Sequence, residues 1–463
     1  MTSVYREITA VAAGVIFLFG CTPGKEYPAP GGNWNTGGSE GEIDAWNLTD
    51  WSDKPSVDPI VVGRHLAERF VEIPNSNWGS IDKSPSSFVT YPDVCAYLGA
   101  FWYAEAAGDT DVIQQLVDKY NDVITGVSKQ ANGNPLVTDL LWRYESNRVD
   151  YYIFGAIALH IASIMDDPAY SGVTFRETKE AYLKFGLQYA NSQWEFFDIE
   201  EFNARFNSPE YNKTGKLFKM SKSDYDRWKS YADRGYSWQT RLWIDDMFMI
   251  TALQVQAYFA SGNKVYLDRA VHEMRLYLDE LPGDKGLYYH SPSAKFYWAR
   301  GNGWMAVGMT EMLRILAGRD EYAEDRNVLM NKYISMMSSL LKYQKSDGLW
   351  AQLVDYGTMW TETSGSAMFA YAFIQGVANG WLDELIYGTA SRRAWKQLNS
   401  YLRPNYDIRE VCEGTGAQNS KSWYENRKRL VGDTHGQAGM LWCAFALTDL
   451  KKKTEPDSAG LSE

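Results

Sequence analysis

One recurring joint organises most of the chain. Long amphipathic stretches are interrupted at Ala107-Gly108-Asp109-Thr110-Asp111, Met165-Asp166-Asp167-Pro168-Ala169-Tyr170, Ser261-Gly262-Asn263-Lys264-Val265-Tyr266 and Ala317-Gly318-Arg319-Asp320-Glu321-Tyr322. In each, a Gly or Pro stops one helix, an Asp or Asn suits the cap of the next, and an aromatic or apolar residue re-enters the core. Helix–turn–helix units repeated in this way, with few alternating strand patterns, predict helical hairpins standing side by side. A closed ring of them has an inner and an outer helix layer, with the connecting loops forming a cleft at one end. An open solenoid would need a stricter period than these irregular loops show.

The two ends read differently. Arg6 is followed by the apolar stretch Ile8 to Phe19 and then Gly20-Cys21. That run is too short to span a bilayer but fits a signal-peptide core, and its end resembles a bacterial lipobox. Residues 1–20 are therefore expected to be a lipoprotein-type signal, with Cys21 the lipidated first residue of an exported protein in the periplasm or on the outer membrane. Ordinary signal cleavage is the alternative. Residues 21–56, rich in Gly, Pro, Asn and Ser, read as a flexible tether. Residues 57–450 read as one helical catalytic domain and 451–463 as a polar tail. The other cysteines, Cys95, Cys412 and Cys443, show neither disulfide-framework nor zinc spacing, and no metal or other cofactor is expected.

A net charge of −12 argues against nucleic acid as a partner. It also means that an acidic substrate must be met by local arginines. The chain has 18 Trp and 31 Tyr, and aromatic faces stack on the C–H faces of sugar rings, so the excess inclines the reading towards carbohydrate.

Chemistry is most strongly marked at Trp243-Ile244-Asp245-Asp246-Met247-Phe248-Met249-Ile250. Ionised carboxylates are costly among large apolar side chains, and burial raises a carboxyl pKa towards the pH of use. Asp245 or Asp246 is thus a candidate proton donor, with helix capping the alternative for either. In Trp298-Ala299-Arg300-Gly301-Asn302-Gly303-Trp304, Arg300 suits a carboxylate and Trp298 or Trp304 a sugar face, unless the run only turns and fills core. His290 and His435 lie beside loop-forming residues, whereas His160 and His272 sit in helix interiors. Glu362, ahead of an apolar helix, reads as a cap or a site partner, and Asp150 alone reads as an N-cap. No His-Glu-x-x-His, Gly-x-Ser-x-Gly or Walker pattern is present.

Taken together these runs resemble the unsaturated glucuronyl and rhamnogalacturonyl hydrolases of glycoside hydrolase family 105. Trp243 to Asp246 match the family's Trp-x-Asp motif, residues 298–304 its Arg loop, Glu362 to Phe369 its Glu-x-Ser-x-Ser-Ala-Met-Phe and Gly432 to Gly436 its Gly-Asp-x-His-Gly. The likeness extends from about Tyr91 to Leu447. It implies an all-α fold, an (α/α)6 barrel, and removal of a 4,5-unsaturated uronic acid from the non-reducing end of lyase-generated oligosaccharides. It also implies Asp245 as general acid/base, Asp150 as the second aspartate, and a uronate site lined by Arg300, Trp304 and His290, with Trp298, Trp243, Glu362 and His435 as further substrate-binding residues. Some family members carry a histidine about eleven residues before the acid; here Arg234 or Trp238 is the expected substitute.

Two other readings remain on the residues alone. A direct glycosidase or a sugar epimerase would use the same barrel, the former with carboxylates about 6.5–9.5 Å apart around a water. A surface lipoprotein that only binds glycans would explain the tether and the tryptophans but not the buried acids.

Overall fold

The computed structural model describes residues 45–73, 89–124, 149–208 and 217–454; Cys21 and the signal segment lie outside the described residues. In chain order the barrel helices are α1 (Pro59–Glu72), α2 (Tyr91–Ala107), α3 (Thr110–Ile124), α4 (Gly155–Ile164), α5 (Lys179–Ser192) and α6 (Ile244–Ser261). They continue with α7 (Lys264–Glu280), α8 (Ala299–Leu316), α9 (Ala323–Tyr343), α10 (Thr363–Ala378), α11 (Thr389–Asn399) and α12 (Thr434–Thr454). Each even-numbered helix packs on the next, and α12 packs along α2 to close an inner ring of six. The odd-numbered helices clothe that ring, giving the expected (α/α)6 barrel.

Hydrophobic pattern decides which layer a helix joins. Inner helices are buried on nearly all sides: α8 buries every residue except Glu311. Outer helices carry one stripe, as in α9, which buries Leu329, Tyr333, Met336, Met337, Leu340 and Leu341 and leaves its other face wet. Small residues let the inner helices approach closely. A Cβ on Gly365 of α10 would lie 2.6 Å from the backbone carbon of Ala299 at the start of α8.

The expected joints are the short reversals from inner to outer helix. Gly108 and Gly262 end α2 and α6 at φ 70°, and Asn263 caps α7 by accepting the Val265 N–H at 3.1 Å. Because these reversals are tight, all six inner helices run in the same direction. The returns from outer to inner helix are long and gather at the opposite end. They hold four short helices (Val149–Tyr152, Ile199–Asn207, Lys222–Ala232 and Lys421–Glu425) and a two-residue antiparallel pairing of β1 (Val411–Cys412) with β2 (Arg429–Leu430).

Two expected boundaries need correction. Within the expected tether, residues 45–56 are packed: Leu48 and Trp51 are buried, and Arg392 of α11 lies 4.2 Å from the Trp51 ring while binding the carbonyls of Asn47 and Asp50. At the other end, the tail does not begin at 451, since α12 continues to Thr454. Its lysines suit a helix C-terminus, where they meet the negative end of the dipole, and Lys451 also pairs with Asp58 at 3.0 Å. Among the described residues no helix is long and apolar enough to cross a membrane.

Candidate active site

The long returns deliver one chemically active side chain to the start of nearly every inner helix. Tyr91 opens α2, Asp150 lies in a short turn of helix (Val149–Tyr152) just before α4, Asp245 and Asp246 open α6, Arg300 opens α8, Ser364 opens α10 and His435 opens α12. Six parallel helices therefore bring their N-terminal ends, and these residues, to one mouth of the barrel.

Asp245 is its electrostatic centre. The residue is 8% exposed, and burial raises its carboxyl to about 7 against the pull of the Arg300 charge. Among the described residues its Oδ2 has no hydrogen-bond partner and lies 3.7 Å from His290 Nε2, which has none there either. The His290 ring is buried, stacks on Trp298 at 4.6 Å and meets the Tyr424 hydroxyl through Nδ1 at 2.7 Å. Burial, then the Arg300 charge, holds the imidazole down to about 3, so it is neutral at ordinary pH.

The neighbouring acid has a different position. Asp246 is fully buried and takes a two-pronged pair from Arg241, Nε to Oδ2 at 2.8 Å and Nη2 to Oδ1 at 2.6 Å. The same Nη2 lies 3.4 Å from Asp150 Oδ1, so one guanidinium bridges the two acids. Asp150 is also raised to about 7, by burial first, with Arg241 opposing. Leu242, between Arg241 and the acid motif, holds φ 55°, a left-handed conformation that costs a non-glycine residue and is kept here by the packing around it.

Arg300 and Glu362 are joined through the backbone of β1. Arg300 is fully buried, donates to the carbonyls of Cys412 and Glu413, and lies 4.6 Å from the Trp298 ring centre. Its Nη atoms are engaged by main chain, so its direct contribution to the mouth is positive charge rather than an open fork. Glu362 proves to be the helix cap of the two alternatives. Both oxygens are taken, by the N–H groups of Ser364, Gly365 and Cys412 and by the Ser364 hydroxyl.

His435 is held by Asp433, Nδ1 to Oδ1 at 2.5 Å, and its Nε2 meets the Tyr91 hydroxyl at 2.9 Å. Trp304 is buried beneath this pair, edge-on to Tyr91 at 5.8 Å. Of the expected tryptophans, Trp298 is covered by Arg300 and His290, and Trp243 is the partly exposed one.

Neither expected substitute for the missing histidine reaches this cluster. Arg234 is exposed and donates to the Ser230 carbonyl, and Trp238 is buried against Trp228 and Phe202 with its indole N–H on the Ser192 carbonyl. Arg241 is the cation that meets the acids. Sequence reasoning missed Arg241, Tyr91 and Tyr424. Only Arg241, two residues before the acid motif's tryptophan, offered a local signal; the other two arrive from distant segments.

Comparison with known proteins supports the fold and the family. The family model described as Glycosyl Hydrolase Family 88 matches residues 211–451, just over half of the 463 residues. The unsaturated 3S-rhamnoglycuronyl hydrolase of Formosa agariphila is 29% identical over 212 residues, which are 40% of this chain and 54% of that protein. The chain thus spans about half the length of that curated relative. A solved structure from Salmonella enterica, described as a possible member of family 105, superposes with TM-score 0.60 at 16% identity, covering 84% of this chain and 93% of its own. A glycosyl hydrolase family 88 structure from Bacteroides vulgatus gives 0.58 at 17% identity, covering 85% and 99%. Fold and mouth define the class: an (α/α)6 barrel with an acid centre at the inner helices' N-terminal ends. Within it, the chain belongs to glycosyl hydrolase family 88, and the resemblance of its motifs to family 105 stands with that assignment.

Proposed function

We propose that the protein removes 4,5-unsaturated uronic acid from the non-reducing end of lyase-generated oligosaccharides by hydrating the C4=C5 vinyl ether. The name of the Formosa relative supports the substrate class. The observation that carries the reading is Asp245 itself, a carboxyl raised to about 7 at the barrel mouth. Such a group is protonated often enough to give its proton to C4 and basic enough afterwards to take one from water, whose oxygen adds to C5. The resulting hemiketal opens and releases the remaining sugar, so H and OH from one water are accounted for and Asp245 is regenerated. Asp150, held by Arg241, serves the ring hydroxyls. Arg300 supplies positive potential for the uronate carboxylate, and Trp243 a partly exposed aromatic face for the sugar.

The test is the ultraviolet absorbance of the conjugated alkene in an unsaturated disaccharide made by a polysaccharide lyase. The wild type should abolish it, and Asp245→Asn should slow the loss by roughly 10²–10⁴-fold with unchanged circular dichroism. Release of sugar from a saturated uronide, with no alkene needed, would instead identify a direct glycosidase.

A further inference from the structure

The neutral imidazole beside Asp245 can face it in two ways, and the choice is made by a residue from the last loop. Tyr424 lies in the short helix Lys421–Glu425, and its carbonyl accepts from Gln352 at 3.1 Å, which fastens that helix to the site. Its phenol oxygen receives the Gln418 N–H at 3.4 Å, so that contact offers no acceptor for the phenol's own proton. The acceptor within reach among the described residues is His290 Nδ1, at 2.7 Å. If Tyr424 donates there, Nδ1 is a lone pair and the single imidazole proton stands on Nε2, facing Asp245 Oδ2 at 3.7 Å. The plane of the ring is held by Trp298, on which it stacks, and by Trp243, which it meets edge-on at 6.2 Å, and the Tyr424 contact fixes which edge faces Asp245.

We infer that Tyr424 is a positioning residue that locks His290 in the Nε2–H tautomer, directing an N–H dipole at Asp245 that favours its carboxylate over its acid form. This rests on the proposed role of Asp245. The other groups facing that carboxylate act as fixed background. Arg300 comes from α8 and Arg241 and Asp246 from its own segment, while Tyr91 and Asp150 stand across the mouth. None of them sets the tautomer of His290. Without the tyrosine, Nε2 is free to become an acceptor for a protonated Asp245, which stabilises the acid form instead.

Two measurements test this on the full chain. With ¹⁵N-labelled histidine, and the His290 signals assigned through His290→Gln, the wild type should show the neutral Nε2–H tautomer; an Nδ1–H tautomer overturns the inference and needs no tyrosine variant. In Tyr424→Phe, the alkaline limb of kcat/KM for alkene hydration should move up by about one pH unit, because Asp245 stays protonated longer. A limb that stays in place while activity merely falls, or one that moves down, also overturns it. Failure of the underlying reading has a separate signature: Asp245→Asn would keep hydrating the alkene, whatever the tautomer of His290.

Discussion

A carboxyl that folding raises to about 7 holds a proton that the unfolded chain, with an ordinary aspartate pKa near 4, has already released. Between those values the native state binds more protons, so Asp245 favours folding fully below about pH 4, and this contribution is lost as pH rises to 7. A shift of about three units corresponds to an upper bound on the order of 4 kcal/mol. Asp245→Asn, which removes the charge, should therefore match the wild type in stability near pH 4 and exceed it at pH 8. Urea unfolding at the two values measures the difference, and an equal offset at both would refute the linkage. The same ionisation should give wild-type kcat/KM an alkaline limb near pH 7. The apolar run alone left the two acids interchangeable, and only the resemblance of the surrounding motifs singled out Asp245. The difference lies in Arg241, which neutralises Asp246 and leaves Asp245 facing a neutral histidine.

At the scale of elements, the barrel mouth depends on how closely α8 and α10 approach. An alanine methyl at Gly365 would meet Ala299 main chain, which cannot yield, whereas one at Gly308 would meet the flexible end of Met247 at 2.8 Å. Gly365→Ala should cost about 3 kcal/mol of stability and reduce activity by displacing Arg300, while Gly308→Ala should stay within about 1 kcal/mol, helped by alanine's helix propensity. Thermal denaturation of the two variants compares them directly. The helix joints were legible in sequence because a glycine at positive φ followed by a capping Asn or Asp acts locally. The packed stretch 45–56 was not, since it continues a segment rich in Gly, Pro, Asn and Ser that reads as linker until Arg392, more than 300 residues away, covers Trp51. Glu362 shows the same limit: a cap or a site acid by sequence, it was decided by the distant N–H of Cys412 as well as by its own helix.

At the scale of the molecule, closure is made by the last helix. α12 fills the gap between α10 and α2, burying Met440, Leu441, Trp442 and Cys443, and brings His435 to Tyr91. A chain ending at Asp433 should leave the inner ring open and lose cooperative unfolding; a sharp calorimetric transition in that truncation would show that five inner helices suffice. What the sequence determined by itself was local and periodic: helix starts and stops, the apolar character that assigns a helix to the inner layer, and the motif residues Asp245, Arg300 and His435 at helix N-termini. What only the tertiary structure decided was the company those residues keep. Ring closure buries Asp245 and so raises its pKa, bridges Asp246 and Asp150 with Arg241, and sets Tyr424 against His290 across 134 positions of chain. The physical reason is that a side chain's identity is written in the chain, whereas its protonation depends on the desolvation and charge around it, which do not exist until distant segments meet.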